Sequence, residues 1–167
     1  MKQELVQKQK LPEGWRILLL MDVVHKKKSG ITEFNNMKKY IATGDLNGND
    51  DITSIDITYD NRPSRANMEA AKGDIIFAKM KDTDKVMLID ENSSNNIYST
   101  GFYVVTPFNA LLSEFLYYYL KSDYFMIQKN NLAKGATQKA INDDDLEKIK
   151  ILVPPISQQK KIIEKLD

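Results

Sequence analysis

A chain of 167 residues can bury one hydrophobic core, and 42% apolar with 28% charged residues is the composition of an ordinary folded domain, not of a disordered or bilayer-embedded chain. The absence of cysteine excludes disulfides, zinc–thiolate sites and iron–sulfur clusters and makes a reducing cytoplasm the expected setting. The single histidine, His25, leaves any metal site to carboxylates, and the net charge of +1 gives no overall pull toward nucleic acid.

Residues 1–10 are polar and read as a flexible arm, with no apolar run of signal-peptide type. Leu11-Pro12-Glu13-Gly14-Trp15 is a turn-like opening. Ile17 to Val24 predicts a strand leading into a short helix, and its longest apolar stretch, Ile17 to Met21, is too short to span a membrane. Lys26 to Gly30 reads as an exposed loop. Tyr40 to Thr43 predicts a short strand, and Asn47-Gly48-Asn49-Asp50 a turn. Ile55, Ile57 and Tyr59 alternate with polar residues as a half-buried strand does. Arg62 to Asn67 reads as a polar loop, Ile75 to Ala78 and Val86 to Ile89 as buried strands, and Glu91 to Asn96 as a loop. Phe102 to Val105 is a further strand, ended by Pro107.

The character then changes. Ser113 is an expected N-cap, followed by Phe115, Leu116, Tyr119 and Leu120 at helical spacing. Ser122 is placed to cap a second helix, and Asn130 to Lys139 reads as a loop around Gly135. Asn142 is another expected N-cap, with Asp143, Asp144 and Asp145 at the positive end of its helix. Ile151 to Val153 is a strand stopped by Pro154-Pro155, and a last helix starts at Ser157. Strands first, then helices, then one more strand is an α+β order, not the alternation of a doubly wound sheet.

Catalytic patterns are missing. There is no glycine-rich cofactor turn after a strand, and Val153-Pro154-Pro155-Ile156 lacks the polar ends of a methyltransferase loop. Asp74 and Lys79 hint at a metal nuclease, but Phe77 stands where the second carboxylate is needed. No nucleophile–base pair and no phosphate loop is present. The sequence therefore predicts no catalytic residue, no cofactor and no metal site. A fragment of a DNA methyltransferase or a small nuclease is the alternative enzyme reading; a DNA-mimicking inhibitor would need a strongly acidic chain.

Charge is segregated within the neutral total. Asp45, Asp50, Asp51, Asp56 and Asp60 precede a stretch in which Arg62, Arg65, Lys72, Lys79 and Lys81 face only Glu69 and Asp74. Lys121, Lys129, Lys134 and Lys139 then face only Asp123. Two basic surfaces can hide in such a chain; a solvated face is the competing account. Lys79 and Lys81, two apart after a strand, suit adjacent phosphates or a wet strand end equally. Lys134-Gly135-Ala136-Thr137-Gln138-Lys139 combines lysines for phosphate with a glycine that admits close approach and with Gln138, which suits an adenine edge. A simple glycine turn before a helix fits the same residues. Arg62 and Arg65, with Asn67 near them, offer guanidinium forks for guanine or phosphate.

The segments together resemble one known family, the target-recognition domains of type I restriction–modification specificity subunits. The likeness lies in the order of Leu11-Pro12-Glu13-Gly14-Trp15, Gly73-Asp74-Ile75-Ile76-Phe77, Ser99-Thr100-Gly101-Phe102, Phe115 to Leu120, Gly135-Ala136-Thr137-Gln138, Asp145-Leu146, and Val153-Pro154-Pro155-Ile156 with Gln159 to Ile163. The resemblance implies a recognition globule over 11–155 and the start of a spacer helix over 156–167. It implies double-stranded DNA as ligand, read as one half of a split target. It implies methyltransferase subunits as partners, with an endonuclease/translocase subunit joining through them and catalysis left to both. One globule stands here where the family has two, as in a half-subunit, a truncated gene or an excised fragment; a half-subunit would self-associate through its terminal helix. With DNA as the ligand, the segments above give the expected contact set: Arg62, Arg65, Lys79, Lys81, Lys134 and Lys139 on phosphates, Thr137, Gln138 and Asn67 nearer base edges, and Gly135 admitting close approach.

Overall fold

The computed structural model describes residues 10–48 and 51–167. Among them the strands are β1 Arg16–Leu19, β2 Val24–Lys26, β3 Lys38–Ile41, β4 Ile55–Ile57, β5 Ala66–Glu69, β6 Ile75–Ala78, β7 Val86–Leu88, β8 Ile97–Ser99, β9 Phe102–Pro107 and β10 Lys150–Val153. The helices are α1 Ser113–Leu120, α2 Asp123–Leu132, α3 Asp143–Leu146 and α4 Ile156–Leu166. This is the α+β class read from the sequence.

The central sheet, in order β2-β9-β6-β7, is antiparallel throughout. Its middle strand β6 is Ile-Ile-Phe-Ala, buried at every position, because both faces of the sheet are covered. Alternation divides that run between two cores. Ile75 and Phe77, with Tyr103 and Val105 of β9, join Phe115, Leu116, Leu120 and Phe125 of α1 and α2. Ile76 and Ala78, with Phe102 and Val104, meet Ile41, Met68 and Tyr98 of a second sheet. Each of the large side chains so buried contributes about 1.5–3 kcal/mol. The layers are therefore helices, central sheet and second sheet.

The second sheet runs β4-β3-β8-β5 and is mixed: β3 and β8 are parallel, the other pairs antiparallel. A two-stranded ribbon pairs β1 with β10, Arg16 opposite Val153, so the described chain's first and last strands close on each other. Gly14 lies at φ +80°, and a Cβ there would stand 2.8 Å from the Pro155 ring, so the turn opening the domain requires glycine. The fully buried Gln159 ties α4 down: it accepts from Leu112 N at 3.0 Å and donates to the carbonyls of Ala110 and Pro154.

Several expectations are corrected. Ala66 and Asn67 belong to strand β5 rather than to a loop; a bulge between Ala66 and Met68 breaks the two-residue period. Ile97 to Ser99, unassigned from sequence, form β8, whose parallel partner β3 lies far back in the chain. Ser113 is the first helical residue and not the cap; its hydroxyl donates to the Gly73 carbonyl at 2.7 Å while Leu112 holds the cap position. Helix α2 continues through Leu132, shortening the expected loop at Asn130. Lys26 is in β2, and Lys26 and Lys27 are half-buried rather than exposed. The Ser122 and Asn142 caps are present, each side chain accepting from a backbone N–H three residues on. Residues 1–9 of the expected arm, and Asn49 and Asp50 of the expected turn, lie outside the described residues.

Candidate nucleic-acid interface

β2 and β6 flank β9 on its two sides, and the chain leaving β6 continues beside the start of β9, Lys79 N donating to the Gly101 carbonyl. That places Lys26, Lys27 and Lys28 opposite Lys79 across a cleft of about 520 Å³, with Ser29, Met68, Thr100, Phe102, Tyr103 and Asp143 completing its lining. A second hollow, of about 480 Å³, adjoins it and shares Lys79, Tyr103 and Asp143. Four lysines against one lining carboxylate make the cleft cationic.

Tyr103 is the floor post. The Lys79 ammonium lies 4.3 Å from its ring centroid and Lys26 lies 5.6 Å from it, so one aromatic ring holds two cations. Burial lowers the Lys79 ammonium from its ordinary value, Asp143 opposes that shift, and Lys26 and Arg65 add to it by repulsion. The Tyr103 hydroxyl donates to Asp143 at 2.8 Å; burial, then that bond, raises its pKa. Hydrogen bonds from Lys26 first and Tyr103 second hold the Asp143 carboxyl below the usual range, so it is ionised at neutral pH. Lys27 is anchored from beneath by Asp74, at 2.6 Å. Asp74 is itself buried and also accepts from Ala71 N and the Thr106 hydroxyl, which explains the Gly73-Asp74 turn.

The loop after β6 has its own support. Lys129 of α2 is only 1% exposed and donates to the carbonyls of Ala78 and Thr83, the two ends of the segment that carries Lys79 and Lys81. Burial pushes its ammonium down to about 8, against the pull of Asp84 and Asp82. Asn130 and Asp82 exchange two hydrogen bonds of 2.9 Å beside it, with Asp82 at φ +56°. On its other side the segment bonds to 139–141: Lys81 N donates to the Lys139 carbonyl and Ile141 N to that of Lys79.

The predicted residues divide. Lys79 is central to the cleft. Arg65 is exposed beside it at the Thr100–Gly101 turn, its carbonyl accepting from Thr100 N. Asn67 of β5 accepts from Gly30 N at 2.9 Å, next to Ser29 on the rim. Lys81 and Lys139 meet through backbone only. Arg62 is folded onto its own turn, 3.8 Å over the Tyr59 ring and donating to the Tyr59 carbonyl. Lys134 is paired with Asp145 at 3.1 Å, and Gly135, Thr137 and Gln138 are exposed in the loop between. Gly135 has φ +137° and a Cβ there would lie 2.4 Å from the Gln138 carbonyl oxygen, so its role in this fold is to close the turn. Lys26, Lys27, Lys28, Tyr103 and Asp143 were not singled out from sequence as ligand contacts. The lysine run was visible, but its carboxylate Asp143 is 117 residues away. Among the described residues no cluster of His, Cys, Asp and Glu could hold a metal ion. The arrangement can bind and orient an anion.

Known proteins share this architecture. The HsdS subunit from Thermoanaerobacter tengcongensis superimposes with a TM-score of 0.78 at 25% identity, over 95% of this chain and 42% of that one. The EcoKI specificity subunit of Escherichia coli K12, a type I restriction enzyme component, is 26% identical over 95% of this chain and 36% of its own length. The HindI specificity subunit of Haemophilus influenzae is 26% identical over 75% of this chain and 28% of its own. The chain thus spans about a quarter to two fifths of these relatives. The sequence profile of the type I restriction modification DNA specificity domain matches residues 12–167, almost the whole chain, and the chain belongs to that family.

Proposed function

We infer that the chain is a DNA-reading module of a type I restriction–modification system. It binds double-stranded DNA, reads one half of a split target, and docks methyltransferase subunits, and through them the endonuclease, in the cytoplasm. It performs no catalysis of its own. The recognition globule extends over 11–155, and α4 begins the spacer helix. The observation that carries this reading is the cationic cleft, in which Lys26 of β2 and Lys79 from the chain after β6 both lie over the Tyr103 ring and Lys28 completes the basic lining. Such a cleft suits phosphates, which supply most of the affinity of DNA-binding domains. Membership of the specificity-domain family supports DNA as the source of those phosphates.

Duplex binding measured as salt is raised tests it. The logarithm of the affinity is expected to fall linearly with the logarithm of salt, and Lys28→Gln with Lys79→Gln to remove roughly 2 from the slope, about 0.9 per phosphate contact. A wild-type chain that binds no duplex, or a double variant with an unchanged slope, would sink the reading.

A further inference from the structure

The cleft contains one group that a phosphate site does not want. Asp143 lines both hollows, and its side chain is 66% exposed. It is held in place from two directions: Lys26 donates to one oxygen and the Tyr103 hydroxyl to the other. A carboxylate has about four acceptor positions, so these two bonds leave capacity directed at whatever enters. A phosphate set against it is repelled, so the phosphates belong at Lys28 and Lys79 and a hydrogen-bond donor belongs at Asp143. The donors DNA offers in its major groove are the amino groups of cytosine and adenine. Adenine places its N7 acceptor beside that amino group and would turn a lone pair toward the anion, whereas cytosine offers its N4 amino group without that neighbour.

Resting on the DNA-reading function above, we propose that Asp143 is a specificity-determining residue that accepts a hydrogen bond from the N4 amino group of one target cytosine. Lys26 and Tyr103 are its positioning residues. They fix the carboxylate before DNA arrives, so that little side-chain freedom is lost on binding.

Selection of the full chain against a pool of randomised duplexes is the test, with Asp143→Ala, Asp143→Asn and Lys28→Gln run in parallel. The wild type should require cytosine at one position. Asp143→Ala should relax that requirement by roughly 10- to 100-fold while other positions keep theirs. Asp143→Asn, which retains an oxygen for the Tyr103 hydroxyl and so guards against a variant that fails to fold, should shift the preference toward adenine. Lys28→Gln should lower recovery of every sequence alike. If both Asp143 variants weaken all sequences equally, or leave the preference untouched, Asp143 does not read a base, although the chain still reads DNA. A wild-type chain that selects no sequence overturns both readings.

Discussion

The two basic segments that stand out in the sequence, one around Lys79 and one from Lys134 to Lys139, are held in opposite ways. The first rests on buried groups: Lys129 beneath it, Tyr103 beside it, and a β6 strand with no exposed residue leading into it. The second hangs on a glycine turn, a bridge between Lys134 and Ala140, and an ion pair whose lysine is 68% exposed. A side chain fixed by buried neighbours can be aimed, while one on an exposed loop can adapt. The difference makes the cleft the candidate for oriented contact and the loop the candidate for an adaptable one.

The largest expected effect lies under the first segment. Lys129→Ala removes an ammonium that satisfies two carbonyls and leaves a cavity where its stem packed; the cost is about 2–4 kcal/mol, read as a lowered denaturation midpoint. Lys129 also carries a pH signature. In the unfolded chain it stays charged up to its ordinary value near 10.5, and in the folded chain only below about 8. Between those values the unfolded chain binds more protons, so rising pH favours folding, and the penalty of the buried charge is fully present below about 8. The stability of the wild type relative to Lys129→Met should therefore rise from pH 7.5 to 10, by something on the order of 1–3 kcal/mol. A flat difference would mean that the segment does not rest on a buried ammonium.

The second expected effect is in the other segment. Gly135→Ala must open the turn, because its Cβ would meet the Gln138 carbonyl in a left-handed conformation. The cost is about 1–3 kcal/mol, less than that of Lys129→Ala because an exposed loop can relax. Hydrogen exchange should show the loss confined to residues near the turn. Protection lost across β6 as well would erase the contrast between the two segments.

What was legible in the sequence follows the same division. The β6 run, the Asn142 and Ser122 caps and the Pro154-Pro155 stop are local signals, and local chemistry placed them. β5 and β8 escaped because a bulge hides the period of one and the other pairs in parallel with a strand more than fifty residues back. Ser113 misled because its hydroxyl serves a contact between α1 and the Gly73 turn, which only the tertiary fold creates. For the candidate site, the strand-end position singled out Lys79, which lines the cleft. The Lys26 to Lys28 run looked like a solvated loop because Asp74 and Asp143, which organise it, are distant in the chain. A buried lysine without a nearby carboxylate in sequence, as Lys129 is, has no local signature at all.

The smallest expected effect decides whether Lys134 is a ligand contact or a structural one. Asp145 is buried at the start of α3 and is held below the usual carboxylate range by hydrogen bonds from Lys148 first and Lys134 second. Lys134→Met leaves Lys148 in place at 2.7 Å. Loss of an exposed partner from a shared carboxylate is worth little, so the melting temperature should move by less than about 3 °C. DNA affinity is the sharper measurement. To reach a phosphate, Lys134 must leave Asp145, and the exchange of one anion for another releases less net interaction than a lysine aimed at open cleft. Lys134→Met should accordingly change the salt slope by less than either Lys28→Gln or Lys79→Gln does alone. A full loss of about 0.9 from the slope would put the loop on equal footing with the cleft and make it a phosphate contact in its own right.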